Sequence, residues 1–97
     1  LNRPERLNAL GTELRAGMCD AFVEFQDNSD LEVAVFTGTG RGFCAGEDMK
    51  ESLKRGAPGG DNPPHEDPFM NGTLKKPVIC AINGFAMGGG FMLVERV

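Results

Sequence analysis

The sequence predicts an α/β fold in which short buried strands alternate with helices. Val33-Ala34-Val35-Phe36-Thr37 and Val78-Ile79-Cys80-Ala81-Ile82 are short apolar runs, rich in β-branched residues, that do not alternate with polar ones. Such runs suit strands covered on both faces. Around them lie segments of helical spacing, in the order helix, strand, helix, strand, helix, which is the pattern of layered α/β domains.

The chain opens on Leu1-Asn2, read as the end of a strand, and turns at Pro4. A helix follows, with Gly11 or Thr12 as its cap and Leu14, Met18, Ala21, Phe22 and Phe25 on one face. Asp20, Glu24 and Asp27 fall largely off that face, so the Met and Phe stripe reads as core rather than as a ligand box. After the first strand comes Gly38-Thr39-Gly40-Arg41-Gly42. A dinucleotide fingerprint would need its third glycine at position 43, which is Phe43, and no helix opens there, so the fingerprint fails. Cys44-Ala45-Gly46 then leads into a short helix from about Met49 to Arg55, with Asp48 as its expected cap.

Residues 56–68 are rich in Gly and Pro and are expected to form a mobile loop. His65, the single histidine, lies there. A catalytic histidine needs a held geometry, so His65 reads as a surface residue. Asn71-Gly72-Thr73 matches a glycosylation triplet, taken as chance in a chain without a secretory signal. Phe69 to Lys75 is expected to be a short helix. Beyond the second strand, Asn83-Gly84 makes a turn and Gly88-Gly89-Gly90 opens a helix. Glycines at that point serve either close strand–helix packing or the close approach of a ligand to bare N–H groups; the residues alone leave both open.

Ten basic residues stand against 14 acidic ones, a net charge of −4, which argues against a nucleic-acid binder, since that would need a basic stripe. There is no apolar stretch long enough to span a bilayer and no basic-then-apolar leader. Neither nucleic acid nor membrane is therefore an expected partner, and the expected location is cytoplasmic. Cys19, Cys44 and Cys80 are odd in number and lack metal-ligand spacing. They read as small apolar residues of a reduced compartment, and no metal site is expected. The chain starts on Leu1 rather than Met and stops at Val97 inside an apolar segment without a C-cap, so it is expected to be an internal piece of a larger domain.

Four blocks then carry a resemblance that covers essentially the whole chain. They are Asn2-Arg3-Pro4 with Leu7-Asn8-Ala9-Leu10; Val35-Phe36-Thr37-Gly38; Gly42-Phe43-Cys44-Ala45-Gly46-Glu47-Asp48-Met49; and Lys76-Pro77-Val78 through Asn83-Gly84-Phe85-Ala86-Met87-Gly88-Gly89-Gly90-Phe91. In this order and at these intervals the chain resembles the enoyl-CoA hydratase/isomerase (crotonase) superfamily. The resemblance implies that residues 1–97 are the N-terminal portion of a single crotonase-like ββα-spiral domain, truncated at both ends. It also implies assembly as a homotrimer or a dimer of trimers.

The resemblance further implies an acyl-CoA or enoyl-CoA thioester substrate, hydrated or isomerised in fatty-acid and acyl-CoA metabolism. Coenzyme A is then part of the substrate, and no separate cofactor is expected. Family members hold a thioester enolate with two backbone N–H groups, which by motif position are those of Glu47 and Gly89 here. Fixed donors aimed at developing charge are worth on the order of 3 kcal/mol each. Because the donors are main chain, the Glu47 side chain is expected to be free to vary, so Glu47→Ala should harm less than Gly89→Pro. By the same resemblance Phe43, Cys44, Ala45, Gly46, Asp48, Met49, Gly88 and Met92 would line the substrate site. Arg41, Lys50, Lys54 and Arg55 are available to CoA phosphates, although solvated surface charge is their ordinary role.

One position departs from the family pattern. Hydratases of the family carry a catalytic Glu three residues after the oxyanion glycine, where this chain has Met92. A methionine neither takes nor gives a proton, so two-carboxylate hydration is not supported. Glu95, near one turn further on, is a substitute or a surface charge, and a second acid would lie beyond Val97. The alternative is a non-catalytic acyl-CoA-binding or interaction member.

Overall fold

The computed structural model describes residues 1–56 and 66–97. His65 and most of the expected Gly/Pro-rich loop lie outside the described residues. The element order is a 3-10 turn at Pro4–Arg6, α1 (Thr12–Asp27), β1 (Ala34–Thr37), α2 (Met49–Arg55), α3 (Pro68–Asn71), β2 (Val78–Ala81) and α4 (Gly89–Glu95). The two strands pair in parallel, with Ala34 opposite Val78 and Thr37 opposite Ala81. A parallel pair needs a long crossover, here the chain carrying α2 and α3. The fold is α/β, as predicted.

The core lies on one face of the strand pair. Phe22 of α1 stacks on Phe69 of α3, centroids 4.5 Å apart, and meets Phe36 of β1 edge-on at 5.5 Å. Phe36 in turn packs against Phe43 at 5.3 Å. Such contacts add about 0.5–1.5 kcal/mol each beyond the area they bury. Leu10, Phe25, Cys44 and Leu93 complete the cluster. Within α1 the buried residues are Cys19, Phe22 and Phe25; Leu14 and Met18 are half-buried. Ala21, expected in the stripe, is exposed at the rim of a cavity of about 200 Å³ between α1 and β1.

Three expectations need correction. Among the described residues the strands are covered on one face only: Val33, Val35 and Ile79 are 51%, 64% and 59% exposed. Register places Val35 beside Ile79, and nothing among the described residues packs over them. Leu1-Asn2 forms no strand, although the Leu1 amine donates to Thr37 O and Thr39 N–H donates to Leu1 O. The third helix is shifted and shorter than predicted. Asp67 Oδ1 accepts from Phe69 and Met70 N–H to start it, and Gly72, at φ 73°, ends it one turn later. This is the Asx-Pro start and left-handed glycine stop of a short helix.

Lys76, just before β2, secures the far end of α1. Its Nζ donates to the carbonyls of Phe25 (2.7 Å), Asn28 (2.7 Å) and Leu31 (2.8 Å) and sits 5.2 Å from the Phe25 ring centroid. Carbonyls at a helix C-terminus lack intrahelical donors, and a cation there also meets the negative end of the dipole.

Candidate functional site

The loop after β1 is braced by two asparagines. Asn8 is fully buried; its Oδ1 accepts from Arg3 N–H, and its Nδ2 donates to Thr39 O (3.0 Å) and Gly42 O (3.1 Å). Asn8 and Leu7 are the two described non-glycine residues at positive φ, near 55°. Asn83 closes the other side: its Oδ1 accepts from Gly38 N–H, and its Nδ2 donates to Gly40 O at 2.9 Å. Both asparagines stand in the motif blocks. Their bracing role was not read from the sequence, because it depends on contacts 30 or more residues away.

Beyond this loop, residues 44–48 run between two short segments. On one side Ala45 N–H donates to Leu7 O, Leu10 N–H to Gly46 O (2.6 Å), and Asp48 N–H to Leu10 O. On the other, Cys44 N–H donates to Phe85 O and Met87 N–H to Cys44 O. Both pairings are parallel. The motif blocks that are far apart in sequence thus meet as adjacent backbones.

The glycine triplet divides its work. Gly88, the residue before α4, has φ 52° and ψ −120°, a conformation only glycine adopts without strain. Gly90 is packed: a Cβ there would lie 2.5 Å from Cys44 O and 2.7 Å from Cys44 Cβ. Gly89 is the first residue of α4, so its N–H has no carbonyl to meet within the helix.

Peptide geometry decides where two N–H groups point. The C=O and N–H of a trans peptide face opposite ways. Gly46 O is held by Leu10 N–H, so the Glu47 N–H of the same peptide points away from Leu10. Gly88 O accepts from Phe91 (3.0 Å) and Met92 (3.2 Å) N–H along α4, so the Gly89 N–H points out of the helix start. The two segments are neighbours: a Cβ built on Gly46 would sit 2.8 Å from Met87 O and 3.6 Å from Gly89 N. Gly46, at φ 98°, is glycine for both its conformation and this approach.

The Glu47 side chain is not free, contrary to the expectation from sequence. Its Oε2 accepts from Arg15 Nη2 at 2.7 Å, and its Oε1 accepts from Ser52 Oγ at 2.9 Å with Arg55 Nη2 3.7 Å away. Asp48 caps α2 as predicted, its Oδ1 accepting from Lys50 and Glu51 N–H. Arg3 Nη1 meets Asp48 Oδ2 at 2.8 Å, and Arg6 lies 3.7 Å from Oδ1. Burial pushes the Asp48 carboxyl up, but the Glu51 N–H, the Arg3 hydrogen bond and the two guanidinium charges outweigh it and hold the group below its ordinary value.

The remaining candidates separate into inward and outward groups. Phe43 and Cys44 are fully buried, with Phe43 in the aromatic core and Cys44 Sγ donating to Asn8 O. Burial pushes the Cys44 thiol up, which keeps it protonated and inert. Their side chains thus face the core, and only their backbone runs past Phe85 and Met87. Ala45 is half-buried and Gly46 buried, while Gly88, Met49 and Met92 are exposed. Arg41, Lys50, Lys54 and Glu95 are exposed too, and Arg55 is half-buried beside Glu47. Among the described residues no group of three or more His, Cys, Asp or Glu is placed to hold a metal ion. No helix among them is long and apolar enough to cross a membrane.

The sequence profile of the enoyl-CoA hydratase/isomerase family matches residues 1–95. The chain belongs to that family. Relatives include the 1,2-epoxyphenylacetyl-CoA isomerase of Escherichia coli, 37% identical over 96% of this chain and 38% of that protein. The carnitinyl-CoA dehydratase of Proteus mirabilis is 43% identical over 96% of this chain and 36% of its own length. Among solved structures, an enoyl-CoA hydratase from Mycobacterium marinum superposes with a TM-score of 0.84 at 30% identity, covering 100% of this chain and 38% of that one. A carnitinyl-CoA hydratase from Mycobacterium avium gives 0.79 at 32% identity, covering 99% and 38%. This member of the enoyl-CoA hydratase/isomerase family therefore spans less than two fifths of the length of these relatives.

Proposed function

We propose that the protein processes an acyl-CoA or enoyl-CoA thioester through an enolate held by the backbone N–H groups of Glu47 and Gly89. The observation that carries this reading is the pair of neighbouring peptides, each aimed by its own anchored carbonyl at Gly46 and Gly88. Donors fixed in this way need no reorganisation as charge develops on the thioester oxygen, which is the source of oxyanion-hole stabilisation. Relatives named for acting on epoxyphenylacetyl-CoA and carnitinyl-CoA support a CoA thioester as the substrate class.

Met92 favours a single-acid reaction such as isomerisation over two-carboxylate hydration. It lies in the first turn of α4 with its side chain 54% exposed. Protonation and deprotonation would then fall to an acid elsewhere in the protein. The same residue supports a second reading, a member that binds acyl-CoA without turning it over.

The deciding experiment incubates the protein with 2-enoyl- and 3-enoyl-CoA thioesters and follows hydration and double-bond migration separately. Migration without hydration is the expected result. Binding with no turnover of any thioester would favour the second reading. Absence of binding to every CoA ester would overturn both.

A further inference from the structure

Resting on the enolate reading above, we propose that Arg15 is a positioning residue for the oxyanion peptide: it holds the Gly46–Glu47 peptide through the Glu47 carboxylate. That peptide follows Gly46 at φ 98°, a residue with no side chain of its own to brace it. The backbone on this edge is tied through Ala45 N–H to Leu7 O, Leu10 N–H to Gly46 O and Asp48 N–H to Leu10 O. On the other edge the segment is bonded at Cys44, through Cys44 N–H to Phe85 O and Met87 N–H to Cys44 O, three residues before Glu47. The Glu47 side chain adds an attachment at the peptide itself, to Arg15 Nη2.

Arg15 differs from the other groups around this carboxylate. Ser52 and Arg55 belong to α2, which begins two residues after Glu47 and moves with it. Arg3 and Arg6 engage Asp48, and Arg3 also meets Glu51, so both hold the start of α2 rather than the peptide. Arg15 sits on α1, a 16-residue helix anchored in the core by Phe22 and Phe25. Its 2.7 Å bond to Glu47 Oε2 therefore references the peptide to the longest helix among the described residues. Arg15 and Glu47 are 23% and 24% exposed, a half-buried pair that water screens less than a surface one. Misplacing a catalytic group by about 1 Å can cost around a hundredfold in rate, so a loosened donor is expected to cost tenfold or more.

The test uses acetoacetyl-CoA, a thioester whose enolate absorbs in the near ultraviolet, bound to the protein and titrated with pH. Wild type is expected to raise the enolisation constant of the bound ligand above that of the free one. Arg15→Gln should lower that constant about tenfold while changing the dissociation constant of the keto form less than threefold; Arg15→Lys should fall between. Arg96→Gln, which removes a donor to Met70 O, should match wild type. A wild-type protein that binds the ligand without favouring its enolate refutes the oxyanion reading itself. An Arg15→Gln variant as effective as wild type refutes the positioning role alone. If Arg15→Gln does not fold, Arg15→Lys and Glu47→Gln weaken the same pair, and an undiminished enolisation constant in both overturns the proposal.

Discussion

The same substitution, glycine to alanine in a helix, should have opposite signs at two positions of this chain. Gly17 lies in the middle of α1, exposed, and an added Cβ there would meet nothing within 4 Å. Alanine gains helix propensity and restricts the unfolded chain, so Gly17→Ala should stabilise by about 0.5–1 kcal/mol. Gly90 also lies in a helix, yet its Cβ would approach Cys44 O to 2.5 Å and Cys44 Cβ to 2.7 Å. The obstructing atoms are backbone and a fully buried side chain, so relief requires α4 to move off the 44–48 segment. Overpacking of this kind costs about 1–3 kcal/mol, and the propensity gain offsets only part of it.

Equilibrium urea denaturation of wild type and the two variants measures this directly. With a slope near 2 kcal/mol per molar, Gly90→Ala should lower the midpoint by roughly 0.5–1 M, and Gly17→Ala should raise it by roughly 0.3–0.5 M. On the enolate reading proposed above, the Gly90 variant should also weaken binding of acyl-CoA thioesters, because α4 carries Gly89, whereas the Gly17 variant should not. A Gly90→Ala protein as stable as wild type would show that the approach of α4 to Cys44 is not tight, and the packing account of the third glycine would fail.

Lys76→Met removes three ammonium hydrogen bonds from the end of α1 and should destabilise by about 2–3 kcal/mol; Lys76→Arg should recover little, because a planar fork cannot serve three carbonyls in the place of a tetrahedral ammonium. Denaturant midpoints of both variants check this. Asp48 has a folded-state pKa below its ordinary 3.8, so its contribution is present above that value and is lost as pH falls through the folded value. The melting temperature of wild type should therefore drop as pH falls below about 4, and Asp48→Asn should show a flatter acid limb in the same scan. On the enolate reading proposed above, Gly89→Pro keeps a residue suited to the first helical position but deletes its N–H and should lower kcat by about 10²–10³, with circular dichroism checking that the added Cβ, 3.0 Å from Leu10 Cδ1, is accommodated. Glu47→Ala, which keeps its N–H but releases Arg15 and Ser52, should lower kcat less than Gly89→Pro.

Much of this was legible because the signals are local. Asp48 as a cap, Gly11 ahead of α1, the apolar strand runs and the glycines at the start of α4 all depend on residues within a few positions of one another. The short third helix was equally local, since Asp67, Pro68 and Gly72 mark both its ends, and Gly72 in the left-handed region stops it short of the expected end at Lys75. Ala21 was misplaced because helical spacing defines a stripe and not which edge of it meets the sheet. An unbroken apolar run reports two covered faces, and the described residues supply a cover for one.

By itself the sequence determined the α/β alternation, the helix caps and, through its motif blocks, membership of the enoyl-CoA hydratase/isomerase family. These follow from short-range rules of periodicity, capping and backbone freedom, which act before the chain closes on itself. Only the tertiary structure decided that Gly90 packs on Cys44, that the Gly46–Glu47 and Gly88–Gly89 peptides stand side by side, and that Glu47 is gripped by Arg15. The physical reason is distance along the chain. Each of these contacts joins residues more than 30 positions apart, and the direction of a peptide N–H is set by what holds the carbonyl on its other side.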